Sequence, residues 1–174
     1  MNEPFPVFAN GFFTVQENGV FNEIILFEYY DPGGYYASLL SDQNRLDEEL
    51  ETLSRNMQFY LDLEKVLING SESPPTVLNV NIGFRGDPRR PYILFIITFK
   101  GKLARGLNTY ENYYDEEVAE YDYEVVWLFP AKARVVEADL GVPYKVEAGG
   151  RVLRFNVKRG TRVRGFEKIL FEID

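Results

Sequence analysis

Apolar and polar positions divide the chain into one helical stretch embedded in strand-like ones. Residues 12–16 and 20–30 are two strand-like runs flanking Asn18-Gly19. Asn-Gly accepts the positive φ that a tight hairpin turn demands, so the pair predicts an N-terminal hairpin. Asp31-Pro32-Gly33-Gly34 then breaks the second strand. From there Leu39, Gln43, Leu46, Leu50, Leu53, Met57, Tyr60, Glu64 and Leu67 step alternately by four and three. That spacing predicts one long amphipathic helix around residues 41–68. Ser41 is the expected N-cap, and Asn69-Gly70 with Pro74-Pro75 the expected stop. The spacing also fits a coiled-coil seam, but Gln43 and Glu64 interrupt it and Tyr60 fits it poorly. A helix covering a sheet is the preferred reading.

After Pro75 the period is two. Leu78, Val80, Ile82 and Phe84 alternate with Asn79, Asn81 and Gly83, predicting a strand with one wet face. Residues 92–99, YILFIITF, are apolar on both parities, which predicts a central strand buried on both faces. Residues 101–108 read as loop, and residues 121–129 as a second apolar strand carrying the only tryptophan, Trp127. Val142, Tyr144 and Val146 are expected inward, then, past Gly149-Gly150, Leu153, Phe155 and Val157, and last Ile169, Phe171 and Ile173. Eight or nine strands and one helix predict an α+β fold, a predominantly antiparallel β-sandwich or strongly bent sheet. The 174 residues fit one domain, 1–174; a sub-boundary, if present, falls between 105 and 117.

Composition removes more chemistry than it supplies. The chain has no cysteine and no histidine, so disulfides, thiol nucleophiles, Cys/His zinc sites, Ser-His-Asp triads and imidazole acid–base catalysis are impossible. No Walker A, G-x-S-x-G or S-x-x-K motif is present. No cofactor and no metal ligand set is expected. Missing Cys and His, with few Gln and two Met, match the depletion of thermolabile residues in heat-adapted proteins. No apolar run is long enough for a membrane helix, and no leader is visible. The expected location is cytoplasmic as written, or extracytoplasmic if a signal or anchor has been removed. The triplet Asn69-Gly70-Ser71 gives weak support to the second.

The net charge of -8 is distributed in blocks: residues 1–75 carry -10, residues 76–109 +5, residues 110–147 -7 and residues 148–174 +4. Internal pairing of acidic and basic blocks is the simpler account; a bipolar surface for a partner is the other. The overall acidity and the absence of a nucleic-acid motif argue against nucleic acid as partner.

Residues 110–124, YENYYDEEVAEYDYE, hold five tyrosines and seven carboxylates. Tyr110, Tyr113, Tyr114, Asp115, Glu116 and Glu117 are the candidate binding residues. Tyrosine buries area at low entropic cost and keeps a polar tip, and clustered carboxylates stay solvated or find a counter-charge. A hard-cation site on Asp115, Glu116, Glu117 and Glu120 lacks EF-hand spacing. The expected role is a non-enzymatic binding or structural module, for instance the soluble part of a cell-envelope assembly. Its partner would be a second copy, another protein or a glycan. The alternative is a carboxylate-dependent enzyme acting on carbohydrate, marked by a cleft with two facing carboxylates.

Overall fold

The structure, a computed structural model, describes residues 2–174. In chain order it contains β1 (Phe5–Val15), β2 (Val20–Tyr30), α1 (Tyr35–Leu39), α2 (Gln43–Leu63), β3 (Lys65–Ile68), β4 (Ser71–Glu72), β5 (Thr76–Phe84) and β6 (Pro91–Lys100). These are followed by β7 (Gly106–Tyr113), β8 (Glu117–Val118), β9 (Asp122–Leu128), β10 (Ala133–Asp139), β11 (Tyr144–Glu147), β12 (Val152–Val157), β13 (Arg162–Val163) and β14 (Phe166–Ile173). The fold is mostly β with one helix longer than two turns. A seven-stranded sheet runs β11-β12-β9-β1-β2-β6-β5, and a five-stranded sheet β10-β14-β7-β3-β4. β13 and β8 form a separate two-stranded ribbon. All pairings are antiparallel except β1 with β9, where Phe8 to Thr14 align with Asp122 to Leu128. The hairpin forms around Asn18-Gly19, and Gly19 takes the positive φ of 85°. β1 begins earlier than the apolar pattern predicts, with a register shift between Pro6 and Phe8. Proline lacks the ladder donor, so a strand accommodates it at such an irregularity.

The inner face of the large sheet has two covers. Toward β9 and β12 the smaller sheet lies over it: Phe13, Val15, Phe21, Trp127, Leu153 and Phe155 share a core with Ile68, Tyr110, Ile169 and Phe171. Toward β6 and β5 the helices lie over it: Ile93, Phe95 and Ile97 pack with Tyr36, Leu39 and Leu61, joined by Leu46, Leu53 and Met57. Gln58 pins α2 to the sheet, donating to the Pro75 carbonyl at 3.1 Å and accepting from the Val77 amide at 2.9 Å.

Four expectations change. The helix is shorter than residues 41–68. Asp42, not Ser41, is the N-cap, accepting from the Arg45 amide at 3.3 Å. Glu64 is already extended, and Lys65–Ile68 leaves the helix to pair with β7, burying Val66 and Ile68. Leu39 belongs to the separate helix α1. Residues 101–108 are loop only as far as Arg105, because β7 starts at Gly106. β11 is an edge strand whose four residues are all exposed, so Tyr144 and Val146 do not enter the core.

The fourth change concerns β6, which is covered on one face only. Ile93, Phe95, Ile97 and Phe99 are buried, whereas Leu94 and Ile96 remain part-exposed. They face outward with Ile24 and Leu26 of β2 and Phe8 and Phe12 of β1. None of these six residues belongs to either core cluster. Two ion pairs lie on it, Arg85 with Glu28 at 3.4 Å and Arg154 with Glu124, and the exposed Lys100 and Lys145 share the face by register.

Asn69 is committed to the fold. Its amide donates to Lys102 and Asn108 and accepts from the Thr109 N–H, each within 2.9 Å. The Asn69-Gly70-Ser71 triplet is therefore a structural turn whose asparagine is already in use.

Candidate functional site

Strand register builds one unusual row across the large sheet. Val77, Ile97, Glu23, Phe13, Trp127, Leu153 and Val146 are successive cross-strand partners on one face. Glu23 is the single charged member. It sits on the inner face with Phe21, Ile25 and Phe27, at the seam where α2 and the smaller sheet diverge. A cleft opens there. One chamber, about 410 Å³, lies between the large sheet, the C-terminal turn of α2 and the smaller sheet. Phe13, Ile25, Phe27, Met57, Phe99 and Tyr110 supply most of its apolar wall. A second, about 270 Å³, shares Glu23, Glu64, Glu117 and Tyr121 with the first and continues to Tyr114, Tyr123 and Glu167.

Each carboxylate reaches the cleft from a different element. Glu23 comes from β2. Glu64 caps the C-terminus of α2, and its Oε2 accepts from Asn112 Nδ2 at 2.9 Å. Glu167 is cross-strand from Asn112, and Tyr114 approaches it through its hydroxyl at 3.4 Å. Burial pushes the Glu23 carboxyl up to about 8, reinforced by the neighbouring charges of Glu64 and Glu167. Burial, with Glu64 beside it, pushes Glu167 up to about 7, while the Tyr114 hydroxyl works the other way. Glu64 is raised by burial, opposed by the Asn112 amide and assisted by Glu117. Glu117 is itself raised, by burial and then by Glu120. Burial raises Tyr110, Tyr114 and Tyr123 and holds Tyr121 at about 12, so these phenols are neutral.

Among the described residues no lysine or arginine lines either chamber. Asn112 is 8% exposed, and its Oδ1 is buried without a hydrogen-bond partner. The arrangement offers acceptors on an apolar and aromatic wall. Among the described residues no three acidic side chains converge closely enough to ligate a metal. A wider depression of about 780 Å³ lies between residues 5–8, residues 120–122 and Arg159. Its Asp122 is already engaged by Lys158 at 2.9 Å and by the Arg159 amide at 2.8 Å, so it is a neutralised trough at the sheet end.

The six residues expected from sequence do not form one surface. Tyr110 is a core residue of β7, its ring 4.7 Å from that of Trp127. Tyr113 points outward and donates to Glu111 at 2.9 Å. Tyr114 and Glu117 line the cleft. Asp115 is exposed, and Glu116 faces outward to pair with Arg162. Four of the seven carboxylates of the acidic segment pair with the basic C-terminal run: Glu111 with Lys168, Glu116 with Arg162, Asp122 with Lys158 and Glu124 with Arg154.

Sequence reasoning missed Glu23, Glu167 and Asn112. Glu167 had a signal: it shares parity with Ile169, Phe171 and Ile173, so extending that inward alternation by two residues reaches it. Asn112 likewise shares parity with Tyr110. Glu23 had none, because β2 is apolar on both parities and a glutamate there reads as wet-face.

No protein-family model matches the chain, and no curated protein matches its sequence. Among solved structures, the chain is similar to the folded domain of LppM from Mycobacterium tuberculosis, at 9% identity and a TM-score of 0.44, covering 99% of this chain and 93% of that one. It is also similar to an M1 zinc metallopeptidase from Deinococcus radiodurans, at 9% identity and a TM-score of 0.40, covering 97% of this chain and 42% of that one. The chain thus spans less than half of the metallopeptidase.

Proposed function

We propose that this chain is a non-enzymatic binding module and that its ligand enters the cleft at the seam of the two sheets. The observation carrying the reading is Glu23, an acid in the middle of an otherwise apolar row, facing two further carboxylates across an open hollow. An apolar residue there would avoid the cost of desolvating a carboxyl. Departures from the apolar pattern of a core concentrate where a site is needed. The aromatic wall supplies contact area, and the acceptors supply orientation.

The same cleft bears on carboxylate-dependent catalysis. An acid–base pair needs two groups whose environments drive them apart, one held protonated and one ionised. Here Glu23, Glu64 and Glu167 are all driven upward.

A thermal-shift panel of small cations, anions, sugars and lipids tests the reading on the wild type and on Ile25→Trp, which fills the first chamber. Stabilisation of the wild type, lost in the filled variant, is the expected result. A panel silent on the wild type overturns it. Hydrolysis of an aryl glycoside, abolished by Glu23→Gln, would replace it with the enzymatic reading.

The outer face of the large sheet favours a second reading, self-assembly. Phe8, Phe12, Ile24, Leu26, Leu94 and Ile96 form an apolar group on it, with Phe12 exposed and the others part-buried. Sedimentation equilibrium of the wild type against Phe12→Lys tests this. A wild-type monomer at high concentration removes it.

A further inference from the structure

We propose that the cleft receives the primary ammonium head of an organic amine, with Glu23 as its counter-charge, Glu64 and Glu167 lining the same hollow, and the apolar wall around the body. The inference rests on the binding reading above and names its ligand class.

Three independent features point the same way. The first is the donor–acceptor balance. The carboxylates and Asn112 Oδ1 are acceptors, and no cationic side chain lines the space. An ammonium brings three N–H donors and one positive charge, which meets both deficits. Asn112 is the sharper half of this argument. Its amide nitrogen is held by Glu64, which fixes the orientation of its carbonyl, and that oxygen is buried with no partner inside the chain.

The second feature is the wall. Tyr110, Tyr121 and Tyr123 present neutral rings, and Phe27 meets the Tyr121 ring edge-to-face at 6.4 Å. Aromatic faces attract an organic cation. A bare metal ion instead demands several oxygen ligands at short range, and no such grouping forms. The third is shape. The hollow continues from the carboxylates between Ile25, Phe27, Met57 and Phe99, room for a chain or ring attached to the head.

The chemistry carries a pH signature. Glu23 faces Glu64 on α2, Glu167 on β14, Glu117 on β8 and the tyrosines of β7 and β9. Without a ligand Glu23 and Glu167 hold protons near neutrality, and an arriving ammonium displaces them. Binding therefore strengthens as pH rises from about 6 to about 9, where an alkylamine is still charged, and releases protons to the buffer.

Calorimetry with hexylamine, hexanol, hexanoate and hexyltrimethylammonium tests the assignment on the full chain. The expected result is hexylamine bound at least roughly tenfold tighter than the other three. Its affinity should rise with pH, and its heat should vary with buffer ionisation enthalpy. Glu23→Gln should remove the preference while keeping the native circular dichroism spectrum. Glu167→Gln, on the other sheet, should weaken hexylamine in the same direction and guards against a fault of the first variant. If hexanol or hexanoate binds as tightly as hexylamine, and Ile25→Trp abolishes both, the ammonium assignment falls and the binding cleft stands. If none of the four binds, the assignment falls; the cleft falls with it only when the broad panel is silent too.

Discussion

Asn112 donates its amide to Glu64 at 2.9 Å and leaves its own carbonyl oxygen buried and unpaired. The pair joins the end of the long helix to the middle of the smaller sheet. Both residues line the chamber between α2 and the smaller sheet.

The cleft carboxyls make stability depend on pH in a definite direction. Glu23 near 8 and Glu167 near 7 lie above their ordinary 4.5. Between those values the folded chain keeps protons that the unfolded chain has lost, so their contribution is intact in mild acid and declines as pH rises toward 8. Glu23→Gln should leave stability near pH 4 unchanged and raise it near pH 8 by about 1–3 kcal/mol. Urea midpoints at the two pH values read this directly. A variant no more stable than wild type at the higher value contradicts the burial of the Glu23 carboxyl.

Leucines on one helical stripe should differ sharply in cost. Leu61 is 5% exposed and packs against the sheet, whereas Leu50 is only part-buried. Leu61→Ala should lose about 2–4 kcal/mol and Leu50→Ala less than about 1 kcal/mol. Equal losses in thermal unfolding would mean that α2 is rotated from the orientation described.

The sole tryptophan offers an optical probe. Trp127 is 1% exposed and stacks on Phe13 with ring centroids 4.1 Å apart. Native emission should be blue-shifted and resistant to acrylamide. Phe13→Ala should cost about 3–5 kcal/mol and shift emission to the red. Emission already solvent-like in the native protein would displace Trp127 from the core.

Two adjacent glutamates should respond oppositely to charge reversal. Glu116 pairs with Arg162 at the surface, whereas Glu117 faces the carboxylates of the cleft. Glu116→Lys should destabilise by less than about 1 kcal/mol. Glu117→Lys should be neutral or stabilising, since it places a cation beside Glu64. Chemical denaturation of the two single variants separates them, and a clear loss in the second would refute the arrangement.

Much of the fold was legible along the chain because strands with one wet face announce themselves. Leu153, Phe155 and Val157 are buried, and so are Ile169 and Phe171. Two-sided apolar strands did not: Leu94 and Ile96 have the composition of a sealed interior, yet neighbouring strands shield them only sideways. The helix boundary was obscured because Leu67 falls on the helical stripe by spacing while belonging to a strand. The cleft was the least legible part. Glu23, Glu64, Glu167 and Asn112 are scattered from the second strand to the last, and only cross-strand register brings them together.

The parallel seam between β1 and β9 has a consequence for the order of synthesis. β1 leaves the ribosome more than a hundred residues ahead of its partner on that side. Until β9 and β12 emerge, the N-terminal hairpin offers an unpaired edge and an open apolar surface, with nothing to close on. Contacts this distant in sequence pay their loop entropy before any reward, so folding should be slow and completed only after most of the chain is made. A nascent chain stalled before β9 would expose a long hydrophobic strand edge, the form most prone to pair with its neighbours.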